Sequence, residues 1–203
     1  MLGLASFIPT TGFSRKTPKP VPYAIELYFD DHTEALIKAI WEKLAAKGVS
    51  DRLSKRGTRP HVALAVYDDA DPGEIAFQLR RLAKESAPIE ARFEMLGTYC
   101  SADGVLFLCP VVSPRFFLMH SSVIKLLNPL VSGLKDTCRP NRFVPHCTIA
   151  YGLDKESLSR AVALFSNKAL PIVGSFSKIG LFDLNASEDR CIYPFLRETG
   201  VSS

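Results

Sequence analysis

From Tyr23 to Asp30 the side chains alternate: Tyr23, Ile25, Leu27 and Phe29 fall on one face, Ala24, Glu26, Tyr28 and Asp30 on the other. This is the period of a strand with one buried face. The period then changes. Between His32 and Ala46, Leu36, Ile40, Trp41 and Leu44 recur at helical spacing, and Gly48 stops the run. A second helix is predicted over Pro72–Ser86, with proline near its start. Ile89–Cys100 and Gly104–Val112 predict strands joined by a hairpin turn at Ser101-Ala102-Asp103-Gly104. Pro114–Leu134 is mostly helical in pattern, with Pro129 kinking or ending it. Asp154–Ser166 predicts a helix, Pro171–Leu184 a long strand and Cys191–Leu196 a closing strand. Two basic, irregular stretches interrupt the pattern: Asp51–Arg59 (Arg52, Lys55, Arg56, Arg59) and Lys135–Arg142 (Lys135, Arg139, Arg142).

Each basic stretch runs into a short strand that begins with a histidine. The first is Arg59-Pro60-His61-Val62-Ala63-Leu64-Ala65-Val66-Tyr67, the second Val144-Pro145-His146-Cys147-Thr148-Ile149-Ala150-Tyr151-Gly152. The likeness continues downstream. A helical stretch follows each, then Pro88-Ile89 or Pro171-Ile172, then Phe93 or Phe176, then Leu96-Gly97 or Ile179-Gly180. From the histidine to that glycine is 36 residues in the first copy and 34 in the second. Agreement in order, spacing and residue type over such a length indicates an internal duplication. Two copies are too few for a solenoid and predict two lobes about a pseudo-twofold axis. Strands mixed with pair-packed helices make the class α+β. The expectation is two pseudo-symmetric lobes, each a mostly antiparallel sheet with helices packed outside, and a central cleft that both histidines share. The expected domain runs over 23–203, after a flexible basic leader over 1–22.

Strand parity puts His61, Ala63 and Tyr67 on one face, and His146 and Thr148 on one face with Cys147 on the other. A lone histidine at a strand start is usually structural; the pairing of two reverses that weighting for His61 and His146. Two imidazoles across a phosphate suit the opening of a cyclic phosphodiester. One accepts a proton from the attacking water and the other gives one to the departing ribose oxygen. Thr148 would donate a hydrogen bond to a non-bridging oxygen. Arg59 and Arg142 stand just before the two motifs, where they would either meet substrate phosphates or remain solvated loop cations. Tyr67 either stacks a base at the cleft or closes a sheet face. Cys147 reads as core packing, His120 as a packing or surface residue and His32 as surface. Glu26 and Tyr28 share a strand face that either lines the cleft or is simply polar.

The paired motif resembles the 2H phosphoesterase superfamily, which includes 2′-5′ RNA ligase-like proteins and cyclic nucleotide phosphodiesterases. The resemblance spans Tyr23 to Phe195. The second motif, His146-Cys147-Thr148-Ile149, matches in full. The first, His61-Val62-Ala63-Leu64, carries Ala63 where the family has Thr or Ser. The resemblance implies a metal-independent cyclic phosphodiesterase with His61 and His146 as its acid–base pair and Thr148 on phosphate. A 2′,3′-cyclic substrate would then yield a 2′-phosphate. The departure at Ala63 removes one donor and implies reduced or redirected catalysis, the alternative being a nucleotide- or RNA-end-binding module with weakened or lost catalysis.

Composition adds little to this. A 203-residue chain that is 47% hydrophobic and 23% charged is ordinary for a globular protein. The net charge of +4 suits a small anionic substrate or an RNA end rather than a long duplex. Five cysteines without CxxC or His-rich zinc spacing read as free thiols in a reducing compartment, with no metal and no cofactor implied. There is no Walker loop or GxGxxG, and no apolar run of membrane-spanning length. The first 22 residues hold Arg15, Lys16 and Lys19 and no acid, fitting either a targeting remnant or a disordered leader. The expected setting is cytoplasmic, or organellar if that leader is a targeting segment. The expected form is a monomer acting on a small nucleotide or RNA end.

Overall fold

The computed structural model describes residues 22–99, 103–165 and 170–197. In chain order these form β1 (Tyr23–Phe29), α1 (Asp31–Ala46), α2 (Arg52–Arg56), β2 (His61–Tyr67), β3 (Asp69–Ala70), α3 (Pro72–Glu85), β4 (Ile89–Thr98) and β5 (Gly104–Pro110). Then come α4 (Pro114–Leu127), β6 (Val131–Ser132), a 3₁₀ turn over Asp136–Cys138, β7 (Cys147–Leu153), α5 (Lys155–Ala163), β8 (Ile172–Asp183) and β9 (Glu188–Pro194). The helices start where a side chain can satisfy their first N–H groups. Asp30, Asp71, Ser113 and Asp154 each accept from the first turn, and α3 and α4 add a proline there. The α4 helix stops two residues ahead of Pro129, and Val131–Ser132 pairs with β3 instead of continuing it. The first basic stretch holds a short helix, α2, closed by Gly57 at φ 72°. The expected leader, except Pro22, and Cys100, Ser101 and Ala102 at the expected β4–β5 turn lie outside the described residues.

Seven strands make one antiparallel sheet in the order β2-β1-β8-β4-β5-β7, with β9 paired to the C-terminal half of β8. The expected lobes are therefore two halves of one sheet, joined where β8 meets β4. That junction carries the twofold. Ile89 pairs with Phe176, Ala91 with Gly174 and Phe93 with Ile172. Exchanging the equivalent positions of the two copies maps this register onto itself. The outer pairings obey the same exchange: Leu27↔Ile179 and Glu26↔Gly180 in one half match Leu108↔Leu96 and Phe107↔Gly97 in the other.

The main strand path ends in β2 and β7, the two histidine-bearing strands. They touch each other across the molecule, α1 reaches β7, and α4 reaches β2. These contacts cover the two end strands. The core lies inside, with Ile25, Leu27, Phe29, Ile37, Leu64, Phe93, Phe116 and Phe176 among its fully buried members.

Candidate active site

Both histidine strands contain a bulge three residues after the histidine. On β2, Ala63 pairs with Glu26 and Ala65 with Ile25, so Leu64 is extra. On β7, Thr148 pairs with Phe107 and Ala150 with Leu106, so Ile149 is extra. A bulge places two consecutive side chains on the same face. Leu64 and Ala65 are accordingly both buried, as are Ile149 and Ala150. This decides Tyr67. Simple alternation would put it beside His61, but the bulge inverts the parity beyond Leu64. Tyr67 is fully buried in the core, closing the sheet face, and does not stand in the cleft.

The two imidazoles are tethered alike. His61 Nδ1 donates to the carbonyl of Arg59 and His146 Nδ1 to the carbonyl of Val144, each at 2.8 Å. A carbonyl only accepts, so the proton sits on Nδ1 and Nε2 of each neutral ring is left as the free base. Pro60 and Pro145 hold the intervening residue, which fixes the short reach back. The halves meet at this point. The backbone of His61 forms a hydrogen bond with the Cys147 thiol, and the charge of His61 bears on His146. Cys147 itself is fully buried on the core face, and burial pushes its thiol up to about 12.

The surroundings of the two rings differ. Around His146 they are aromatic. Phe107 lies 5.1 Å from it and Tyr99 stands edge-on at 5.4 Å between ring centroids, with its hydroxyl 3.1 Å from Nδ1. Burial lowers the pKa of His146, against the pull of the Val144 carbonyl, and a positive His61 lowers it further. Thr148 is half-buried on the same face, two residues on. Around His61 the surroundings are charged. Glu26 Oε2 is 3.3 Å from Nδ1, and the Tyr28 ring meets the imidazole edge-on at 6.5 Å. The Tyr28 hydroxyl donates to Asp189 on β9. Burial raises the pKa of Glu26 while His61 and Tyr28 oppose the rise.

Two glycines make room for these neighbours. A Cβ on Gly97 would lie 2.2 Å from Phe107 Cε2, and one on Gly180 would lie 2.8 Å from Tyr28 Cε2. They are the equivalent glycines of the duplicated sequence. In both halves a strand must lose its side chain for an aromatic to fit beside the histidine strand.

The remaining candidates take supporting places. Ala63 is cross-strand from Glu26, so the first copy sets a methyl where the second sets the Thr148 hydroxyl. Arg59 gives its carbonyl to His61, while its guanidinium binds Glu34 and lies 5.6 Å over Tyr28. Arg142 is exposed and paired with Asp136 of its own loop. His120 is buried on α4, bonded through Nε2 to the Cys138 carbonyl at 3.0 Å and stacked 3.9 Å from Phe143, so it braces the approach to His146. Arg52 of α2 crosses to the other half and sits 5.6 Å over Tyr151 on β7. Sequence reasoning missed Tyr99 and Phe107. The only signal for Phe107 was its place opposite the repeated glycine, and that pairing needs the register. A groove of about 560 Å³, lined by Leu82, Ile89, Arg115, Met119 and Arg197, involves none of these residues.

Among the described residues, no helix is long and apolar enough to cross a membrane. Comparison with curated proteins finds no match. Solved structures resemble the chain at low identity. A Kluyveromyces marxianus Usb1 structure with uridine monophosphate is 13% identical, with a TM-score of 0.49, over 87% of this chain and 98% of that one. E. coli LigT complexed with NADP⁺ is 15% identical at 0.49, over 87% and 95%. A structure described only as a phosphoesterase is 15% identical at 0.46, over 86% and 95%. The model of the 2′-5′ RNA ligase superfamily matches residues 29–188, a span that takes in both histidine strands, their bulges and the β4–β8 junction. The chain belongs to the 2′-5′ RNA ligase superfamily, the 2H phosphoesterases.

Proposed function

We propose that this protein opens 2′,3′-cyclic phosphates of nucleotides or RNA ends, or a related cyclic phosphodiester, using His61 and His146 as its acid–base pair. One observation carries the reading. Two equivalent strands each hold an imidazole by the same Nδ1-to-carbonyl tether, at the place where the two end strands meet, and each keeps its Nε2 free. Two such nitrogens are what in-line hydrolysis needs: a base for the incoming water and an acid for the departing ribose oxygen. In this reading Thr148, on the same strand face as His146, donates to a non-bridging oxygen as charge develops on phosphorus. With both protons handled by side chains and the charge met by donors, the reaction requires no metal ion. The substrate is a small nucleotide or an RNA end, and the protein works on it as a monomer.

The test is hydrolysis, with chelator present, of the four nucleoside 2′,3′-cyclic monophosphates and of ADP-ribose 1″,2″-cyclic phosphate. Turnover by the parent that is lost in both His61→Ala and His146→Ala supports the two-histidine mechanism. Turnover that survives either substitution puts the chemistry elsewhere, and no turnover on the whole panel overturns the reading.

The environment of Ala63 favours a second reading, in which the cleft binds a nucleotide or RNA end and turns it over poorly. The first half lacks the hydroxyl and sets a carboxylate, Glu26, across from the methyl. That reading expects binding of 2′- or 3′-phosphorylated nucleotides without product.

A further inference from the structure

Glu26 stands out from the rest of the core. It is 2% exposed, and among the described residues its Oε2 has no hydrogen-bond partner. The Tyr28 hydroxyl, which donates to Asp189, also reaches the Glu26 carboxylate, but a neutral phenol supplies no counter-charge. A buried carboxylate left alone is strongly disfavoured and normally neutralises or finds a counter-charge. The imidazole of His61, 3.3 Å from Oε2, is that counter-charge when it is protonated.

The groups facing His61 come from several elements. Glu26 and Tyr28 come from β1, Cys147 from β7 and His146 from the residue before it, while Asp189 of β9 and Arg56 of α2 bear on Glu26. Arg59 lies on the approach, with its guanidinium turned to Glu34. Glu26 is the carboxylate in ion-pair contact. The neighbours of His146 are Tyr99 and Phe107, neither of which carries charge at neutral pH.

We infer that Glu26 is a positioning residue of this site, whose buried carboxylate carries the counter-charge of a protonated His61 and so makes His61 the acid and His146 the base. The inference rests on the phosphodiesterase reading above and assigns the direction of the chemistry within it. Water gives a proton to His146 Nε2 as its oxygen bonds to phosphorus. The bond from phosphorus to the ribose oxygen breaks, and that oxygen takes the proton from His61 Nε2. Exchange with solvent then returns a proton to His61 and removes one from His146. The burial of His146, which disfavours its charged form, is in keeping with this direction.

The test needs no substrate. Imidazole resonances of the full chain are followed by NMR across the neutral pH range in the parent, Glu26→Gln and Glu26→Asp. His61 is expected to keep its proton to higher pH than His146. In Glu26→Gln, His61 is expected to release its proton about one pH unit lower, and Glu26→Asp is expected to restore most of that difference. If His146 holds its proton to higher pH than His61 in the parent, or if Glu26→Gln leaves the His61 titration in place, the inference is wrong. The parent alone decides the order, should Glu26→Gln not fold. In turnover, Glu26→Gln should move the alkaline limb of the pH–rate profile down by the same amount. The kcat at alkaline pH should fall about tenfold with KM little changed, an effect that loss of structure alone would not produce. A protein with the expected titrations and no activity on any cyclic phosphate would sink the phosphodiesterase reading, whereas reversed titrations with normal activity would sink only the assignment of roles.

Discussion

The two halves of the site share their mechanics and differ in their chemistry. Each has a histidine tethered to the carbonyl two residues back, a bulge three residues on, and a glycine that admits a neighbouring aromatic. Backbone geometry is thus the common part. At one pair of equivalent cross-strand positions the halves part company: Phe107 faces Thr148 in the second, Glu26 faces Ala63 in the first. One ring therefore sits among aromatics with the Thr148 hydroxyl on its face, and the other sits against a carboxylate with the Ala63 methyl in that place. A duplicated frame sets where two groups stand; side chains that touch only one of them decide what each does.

The sharpest way to break this comparison is to remove either imidazole. His61→Ala and His146→Ala should each lower kcat on cyclic phosphates by about 10²- to 10⁴-fold, measured against parent protein of equal thermal stability. Equal and complete losses would mark the two rings as a single unit.

The hydroxyl asymmetry comes next. Thr148→Ala should cost about 10²- to 10³-fold in kcat, as expected for one preorganised donor. The reverse change in the other half should do far less. In Ala63→Ser the new hydroxyl lies across from Glu26 and donates to that carboxylate, so activity should change by less than about threefold. A gain much larger than this, measured on the same substrates, would show that the first half lacks only a donor and would favour the binding-module reading.

The equivalent glycines test the shared frame. Gly97→Ala drives a methyl into Phe107, and Gly180→Ala drives one into Tyr28 and the Cys191 carbonyl of β9; each should destabilise by about 1–3 kcal/mol in chemical denaturation. If the frame is shared, the first should disturb the resonances of His146 and the second those of His61.

Smaller effects follow from the buried groups. Burial lowers the pKa of His146 and of His120. The unfolded chain therefore binds protons that the folded one refuses, in the window from about pH 6.5 down to their folded values. Their contribution to stability is complete above that window and declines as pH falls through it. In a denaturation series, His120→Gln should flatten the decline. Smallest of all is Tyr67. Its buried hydroxyl has no hydrogen-bond partner among the described residues, so Tyr67→Phe should leave stability unchanged or slightly higher and turnover within about twofold. A large loss of turnover would return Tyr67 to the cleft.

Much of the frame was legible in the chain itself. The repeat of proline–histidine, proline–isoleucine, phenylalanine and glycine found both histidine strands and the twofold, because a duplication preserves spacing even where side chains change. The alternation in β1 found the face that joins the core, but the expectation of one buried face was wrong: Ala24, Glu26 and Tyr28 on the other face are buried as well, because that face lies under the histidine site. Parity failed at Tyr67, because a bulge adds one residue without any mark in the local pattern of hydrophobicity. The helix expected over Pro114–Leu134, with Pro129 kinking or ending it, ended at Leu127 ahead of that proline, and what only the structure showed is the pairing of Val131–Ser132 with β3 beyond it.

The sequence by itself determined the class of fold, the duplication and the two histidines, since all three are written in periodicity and spacing along one dimension. Only the tertiary structure decided which neighbour each histidine has. Glu26 and Phe107 lie on strands far from the histidines in sequence, and sheet register alone brings one carboxylate to His61 and one aromatic ring to His146. Register is a property of strands paired across the chain, and the distinction between the two rings rests on it.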